Sequence, residues 1–93
     1  MPSVKIKLFA TLRKKYGVKE VYVECDGTIK DLIENASKIL GEEFFNDIYD
    51  KERNKVRDDR IFTVNGRNIK DFKGNIEIKD DDVIAIFPPL AGG

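Results

Sequence analysis

The feature that most constrains the fold is one amphipathic segment near the middle of the chain. Residues 29–40 place apolar side chains at the i, i+3, i+4, i+7 spacing of a helix with one apolar face. Thr28 is positioned to cap this helix, with Asp31 at its third position, and we expect Gly41 to end it in a left-handed conformation. The apolar face is predicted to contain Ile29, Leu32, Ile33, Ala36, Ile39 and Leu40.

Alternating apolar and polar residues predict strands on both sides of this helix. Residues 4–8 and 21–25 alternate with a period of two, which is typical of half-buried strands joined as a hairpin. Ile61–Val64 and Val83–Phe87 are two further strands. Asn65-Gly66 is a strong hairpin signal, so Arg67–Ile69 should begin a return strand.

The remaining segments carry weaker signals. Ile76 and Ile78 suggest a short extended piece, followed by a turn at Lys79–Asp82. The other predictions are a basic loop over Thr11–Gly17, a short second helix over Glu42–Tyr49 and a solvated, highly charged loop over Asp50–Arg60. The role of this charged loop is left open.

The order of these elements predicts an α+β fold. One main helix must cover one face of a mixed sheet of about five strands, because no other element can bury both apolar surfaces. The first and last strands would lie parallel at the centre of the sheet. This arrangement is a β-grasp, or ubiquitin-like, roll, and we expect one domain over residues 1–93 with a flexible tail over residues 88–93.

The amino-acid composition limits the partners and the catalytic mechanisms that the chain could have. The 93 residues carry 17 basic and 17 acidic side chains, so the net charge favours no polyanionic partner. The basic run before Glu20 contains only two aromatic residues, Phe9 and Tyr16, and does not alternate with aromatics as single-strand binders do, so we interpret it as solvated surface rather than a nucleic-acid site. The absence of histidine excludes Ser-His-Asp and Cys-His catalysis.

Other signals point away from metals and membranes. Cys25 is the one cysteine, so an intramolecular disulfide is excluded, and a small buried hydrophobe is its favoured role. Asp80-Asp81-Asp82 is interpreted as a tight turn rather than a metal site. We find no signal peptide or membrane-spanning run and expect a cytoplasmic protein with no bound metal or cofactor.

The most unusual feature is the ending of the sequence. Pro88-Pro89 is followed by Leu90, Ala91, Gly92 and Gly93. Glycine gives up the most conformational freedom when it is ordered, so a glycine pair here has no evident structural purpose. It would suit a tail that enters a narrow channel of another protein and presents its carboxylate there. We therefore expect the last four residues to be disordered in the isolated protein, whereas the alternative is a merely frayed end.

The last strand is apolar on both faces. If its two isoleucines point to the helix, its other apolar side chains point outward, and an exposed apolar group of this kind usually marks a partner surface. The alternative is that Phe44 and Phe45 fold over it. Truncating Phe87 would then weaken partner binding with little loss of stability. The predicted partner surface comprises Ile61, Ala85, Phe87, Pro88, Pro89, Leu90, Ala91 and Gly92.

The stretch Asp82–Gly93 resembles the end of the small subunit of molybdopterin synthase, a ubiquitin-like sulfur carrier. The resemblance spans nearly the whole chain and also rests on Lys7-Leu8-Phe9-Ala10 with Leu12-Arg13, on Gly27-Thr28 and on Val64-Asn65-Gly66-Arg67. The Phe-Pro-Pro lead-in is its specific part, because ubiquitin-type modifiers and the thiamin-pathway carrier share only the terminal Gly-Gly. The long charged stretch before the third strand departs from the pattern.

The resemblance implies a chemistry for the tail. An E1-like adenylating enzyme would activate the carboxyl of Gly93, and a sulfide or persulfide donor would convert it to a thiocarboxylate. The large synthase subunit would then receive the sulfur for a pterin precursor of molybdenum or tungsten cofactor. The chain would be a carrier subunit rather than an enzyme. The alternatives are a protein modifier joined to lysines through Gly93, a carrier for thiamin or tRNA thiolation, and a plain binding domain.

Overall fold

The computed structural model describes residues 1–89. The strands are β1 (Ser3–Leu8), β2 (Glu20–Glu24), β3 (Tyr49–Asp50), β4 (Lys55–Val56), β5 (Ile61–Val64), β6 (Arg67–Asn68) and β7 (Val83–Phe87). The helices are α1 (Ala10–Tyr16), α2 (Ile29–Leu40) and α3 (Glu43–Ile48), with a single 3₁₀ turn at Ile69–Asp71. Five strands form one sheet in the order β2-β1-β7-β5-β6, and β3 and β4 form a separate hairpin.

The centre of the sheet is the predicted parallel pair of β1 and β7. Ile6 lies opposite Ile84 and Leu8 lies opposite Ile86, so the apolar sides of both strands face the same way. The flanking strands β2 and β5 run antiparallel to this pair. The predicted β-grasp topology and its mixed five-stranded sheet are therefore confirmed.

Helix α2 packs its apolar face on the inner side of the sheet. Leu32, Ile33 and Ala36 are completely buried there. The Oγ1 of Thr28 accepts a hydrogen bond from the N–H of Asp31 at 3.2 Å, which confirms the predicted cap. Ile39 was predicted to lie on this face, but it is 56% exposed because it lies at the margin of the apolar arc.

Gly41 ends α2, but not in the predicted left-handed helical conformation. Its φ of 121° and ψ of 150° lie in an extended region with positive φ, which favours glycine. The carbonyl of Gly41 accepts a hydrogen bond from the N–H of Phe44 at 3.0 Å, so α3 follows almost directly. The predicted short second helix over Glu42–Tyr49 is confirmed as α3.

The predicted basic loop over Thr11–Gly17 is wrong, because most of this segment forms helix α1. Leu12 anchors the helix in the core with 4% exposure, and Tyr16, one turn later, packs against the core as well. Gly17 ends it with a φ of 73° and donates its N–H to the carbonyl of Arg13 at 2.9 Å. Lysines and arginine between the two apolar positions obscured the pattern. Within residues 1–89 the core is consequently covered by three helices rather than by the two that were predicted.

The predicted solvated loop over Asp50–Arg60 contains a small hairpin. Tyr49 of β3 pairs with Val56 of β4, and both side chains are buried. Asn54 takes a positive φ of 55° at the turn and accepts a hydrogen bond from the hydroxyl of Tyr49 at 3.0 Å. Two apolar residues were thus enough to fold back a segment that is otherwise charged.

The two predicted turns lie where the sequence indicated. Asn65 and Gly66 connect β5 to β6 with φ values of 51° and 86°. The N–H of Asp82 donates to the carbonyl of Lys79 at 3.1 Å, which closes the turn before β7. The segment around Ile78, predicted as a short extended piece, pairs with no strand of the sheet; Ile78 is buried and donates its N–H to the carbonyl of Gly27 at 2.7 Å.

Candidate partner-binding site at the base of the C-terminal tail

Strand β7 leads directly to the tail. Ile84 and Ile86 are completely buried against the helices, whereas Ala85 and Phe87 lie on the outer face and are half-buried. The predicted assignment of the two strand faces is therefore confirmed. Because β7 is central in the sheet, the point at which the tail leaves the domain is held by strands on both sides.

Phe87 has two apolar neighbours on this outer face. Ile61 lies directly opposite it in the β5–β7 register, as expected. Phe9 stacks on its ring with centroids 4.3 Å apart and planes inclined by 13°. The alternative prediction, that Phe44 and Phe45 fold over the outer face of β7, is wrong, since Phe44 packs against Tyr16 and Phe45 against Tyr49.

Phe9 is the residue of this site that strand and helix patterns did not predict. It connects β1 to α1, so the alternation of β1 ends just before it. Arg13, one turn into α1, donates its Nε–H to the carbonyl of Leu8 at 3.0 Å, and its guanidinium carbon lies 5.4 Å from the centroid of the Phe9 ring. The signal that could have identified it is the Leu8-Phe9-Ala10 motif with Leu12-Arg13, which the family resemblance contains.

We call Phe9, Ile61, Ala85 and Phe87 the tail-base patch. Cationic side chains flank it. Lys7 lies beside Ala85 in the β1–β7 register, and Arg13 covers the Phe9 ring. An apolar patch with such a rim suits a partner surface that is apolar at its centre and acidic at its margin.

A polar contact joins the last turn of α1 to α3. The hydroxyl of Tyr16 donates to the carboxylate of Asp47, which Lys15 also contacts at 2.8 Å. Burial raises the pKa of Asp47, but the hydrogen bonds from Lys15 and Tyr16 outweigh it and hold this pKa below its usual range. Burial, followed by the hydrogen bond to Asp47, raises the pKa of Tyr16. This contact is therefore charge-assisted.

The tail itself begins at the end of β7. Pro88 is half-buried and Pro89 is exposed, and each fixes its own φ near the polyproline value. The other predicted tail residues, Leu90, Ala91, Gly92 and Gly93, lie outside the described residues, as does their expected disorder. The patch and the two prolines are thus the part of the predicted site that the structure brings together.

Other candidate groups have structural roles. Cys25 is completely buried, and burial raises the pKa of its thiol, which disfavours the thiolate. Asp80 accepts a hydrogen bond from the N–H of Ser3, and Asp82 accepts one from the N–H of Lys79. Within residues 1–89, no group of acidic, cysteine or histidine side chains is arranged to hold a metal ion. No helix in that range is long and apolar enough to cross a membrane.

The sheet topology, the covering helices and a tail that leaves from a central strand define the class of ubiquitin-like β-grasp proteins. More narrowly, the chain belongs to the ThiS family, whose model matches residues 6–93. This family contains small ubiquitin-like sulfur carriers and related modifiers, which are carrier proteins rather than catalysts and work with partner enzymes.

Three solved structures illustrate the similarity. A protein from Pyrococcus furiosus, assigned as molybdopterin converting factor subunit 1, is 34% identical, with a TM-score of 0.70 and coverage of 97% of this chain and 100% of its own. Small archaeal modifier protein 1 (SAMP1) from Methanosarcina acetivorans is 28% identical, with a TM-score of 0.79 and coverage of 100% and 98%. The BexX/CysO complex of Amycolatopsis orientalis gives 25% identity, a TM-score of 0.77 and coverage of 97% and 99%. Comparison with curated protein sequences finds no match.

Proposed function

We propose that this chain is the sulfur-carrying small subunit of a molybdopterin synthase. The observation that carries the proposal is the Phe87-Pro88-Pro89 lead-in, which extends the sequence toward Gly93 from a central strand and beside an apolar patch. The 34% identity to the Pyrococcus furiosus protein supports the choice among sulfur-carrier pathways.

The reacting group is the carboxyl of Gly93. A carboxylate is a poor acyl donor, so it first attacks the α-phosphate of ATP in the partner's active site and releases pyrophosphate. Sulfide then displaces AMP from the acyl adenylate and leaves a thiocarboxylate. A persulfide donor would instead leave an acyl disulfide, which a thiol must cleave. The thiocarboxylate finally donates its sulfur to a pterin precursor.

The carrier contributes position rather than acid or base catalysis. The stacked rings of Phe9 and Phe87 give the domain a rigid surface to dock, and the two prolines extend the chain beyond it. Docking makes the reaction of Gly93 effectively intramolecular, because the reacting carbon is delivered to one place. The same patch serves the adenylating enzyme and the large synthase subunit in turn, so the two partners compete for it.

Intact mass spectrometry of the protein purified from its own cell tests the proposal. A mass increase equal to the replacement of one oxygen by sulfur, located at Gly93, is the expected result. A second measurement is sulfur transfer to the pterin precursor when the thiocarboxylate form is mixed with a large synthase subunit. Absence of both the mass change and the transfer would overturn the proposal.

A second candidate function is protein modification through an isopeptide bond from Gly93 to target lysines. The similarity to SAMP1, which covers the whole chain, favours it. The activation step is common to both functions, so only the acceptor separates them. Conjugates of several masses that carry Gly93 on lysine would identify a modifier, whereas a thiocarboxylate that supports pterin sulfuration but not thiamin or tRNA thiolation would identify the synthase subunit.

A further inference from the structure

Strand β2 forms one edge of the five-stranded sheet and has an unpaired side. The N–H of Leu8 donates to the carbonyl of Lys19, and the N–H of Cys25 donates to the carbonyl of Pro2. In an antiparallel pair such hydrogen-bonded residues alternate with residues whose backbone groups point away. The groups that point away from the sheet therefore belong to Glu20, Tyr22 and Glu24.

One end of this edge is already occupied. The side-chain amide of Asn35 on α2 donates to the carbonyl of Glu24 at 2.9 Å, so only the N–H of Glu24 remains open. The N–H and C=O groups of Glu20 and Tyr22 have no partner within residues 1–89. The open edge is thus short and lies toward the start of β2.

Two exposed apolar side chains flank the open edge. Tyr22 is 63% exposed on the outer face of the sheet, and Ile39 is 56% exposed on α2. Ile39 lies one helical turn beyond Asn35, on the side of α2 that meets β2. An additional strand would therefore find an apolar contact on each of its two faces.

The charges beside this edge select its occupant. Glu20 and Glu24 lie on the same face of β2, and their side chains are exposed. Lys5 pairs with Glu20 at 3.7 Å, whereas Glu24 has no ion pair within residues 1–89. A second copy of this chain, paired antiparallel about Tyr22, would set Glu20 opposite Glu24 twice, and like charges directly across a strand pair are destabilising.

We propose that the β2 edge binds an extended basic segment of a partner protein by strand addition. The segment has two cationic residues four positions apart, facing Glu20 and Glu24, and an apolar residue midway between them beside Tyr22. The side chains between these positions point to the opposite face of the added strand and contact Ile39. The site lies across β1 from β7, so the partner binds while the tail-base patch remains free.

The test uses the intact ¹⁵N-labelled protein and a blocked peptide with the core Lys-Val-Tyr-Ile-Lys. Binding should shift the amide signals of Glu20, Tyr22 and Glu24, slow their hydrogen exchange, and leave Phe9 and Phe87 unchanged. A control peptide with glutamate in place of both lysines should bind at least about tenfold more weakly, because two attractive cross-strand charge pairs become repulsive.

A charge-reversed protein supplies the matched control. The double variant Glu20→Lys/Glu24→Lys should bind the glutamate peptide and no longer bind the lysine peptide, because only the sign of the charge at these two positions has changed. The far-ultraviolet spectrum and melting temperature of the variant verify that it is folded. Equal affinity for both peptides, shifts confined to the tail-base patch, or no binding would overturn the proposal. None of these readouts involves Gly93, so the result is independent of the sulfur-carrier function.

Discussion

Phe87 belongs both to the folded domain and to the surface at which its tail begins. The sequence predicted an outward aromatic residue beside Ile61 but did not predict the ring of Phe9, which stacks on it. Such aromatic pairs are worth about 0.5–1.5 kcal/mol beyond the burial of their area. The side chain therefore contributes to stability as well as to the exposed patch.

Replacing this residue separates the two contributions. Phe87→Ala should lower the free energy of unfolding by about 1 kcal/mol through loss of the stack, in addition to the loss of its buried apolar area. It should weaken binding to the adenylating enzyme by about 2 kcal/mol, as truncation of an interface aromatic often does. Chemical denaturation and titration calorimetry measure the two effects. Tyr22→Ala, on the same sheet face but away from the tail, is the control and should leave this binding unchanged. Equal losses of affinity for both variants would refute the assignment of Phe87 to the binding surface.

Asp47 predicts a pH dependence of stability. Its pKa is depressed in the folded protein by Lys15 and Tyr16, so its contribution is present above the unfolded value of about 3.9 and is lost as pH falls through the folded pKa. Asp47→Asn should therefore cost about 1–2 kcal/mol at neutral pH, consistent with a hydrogen bond to a charged group. Urea unfolding at a series of pH values should show the two proteins converging near the acid limit. A difference that is independent of pH would contradict this origin.

Cys25 allows a further test at the same scale. Its side chain is completely buried, and burial raises the pKa of the thiol. The native protein should therefore react with a thiol reagent only through unfolding, with a rate that rises with denaturant concentration. The proposed function places the transferred sulfur on the tail, so Cys25→Ala should retain sulfur-carrier activity as well. Rapid labelling in the absence of denaturant would show that the thiol is accessible.

Among the elements, β2 presents a row of backbone groups to solvent, and its acidic residues oppose self-pairing. The single variant Glu20→Lys should convert this repulsion to attraction, because a second copy would then place the introduced lysine opposite Glu24 in both halves of the pair. We expect a concentration-dependent dimer of Glu20→Lys in sedimentation experiments. The wild type and the double variant Glu20→Lys/Glu24→Lys serve as like-charged controls and should remain monomeric. Identical sedimentation of all three would mean that the charges do not protect this edge.

The elements also show which sequence signals predict structure. Helix α2 and strands β1, β5 and β7 follow their apolar periodicity, because each buries one face against the others. Helix α1 and the β3–β4 hairpin were missed. Each is held by only two apolar anchors, such as Tyr49 and Val56, within a charged segment. Two apolar residues in a charged segment do not identify an element from the sequence. Their role is evident only once the rest of the fold provides the surface on which they pack.

At the scale of the whole molecule, the topology and the position of β7 were predictable, whereas the tail-base patch was predictable only in part. Ile61 and Phe87 were expected because they end neighbouring strands. Phe9 lies 78 positions before Phe87, and their contact depends on how α1 turns after β1. The described part of the chain, residues 1–89, already contains all five strands of the sheet and the helices that cover it.

The proposed reaction at the carboxyl of Gly93 predicts how tail length affects activity. Deleting Gly93, or adding one residue after it, should abolish ATP–pyrophosphate exchange with the adenylating enzyme and leave the melting temperature nearly unchanged. One residue of extended chain spans about 3.3–3.6 Å, whereas reacting atoms must approach within about 3–3.5 Å. A one-residue error therefore misplaces the carboxylate by its full tolerance. Wild-type exchange rates in the shortened protein would leave a simple binding domain as the remaining interpretation.

The parallel pairing of β1 with β7 also has a consequence for biosynthesis. Among the strands of the sheet, β1 is translated first, yet the strand that completes the core, β7, ends at residue 87. A nascent chain that stops before β7 leaves β1 and β5 with open edges in the middle of the sheet, and such edges promote aggregation. The sheet can therefore be completed only after β7 has been translated.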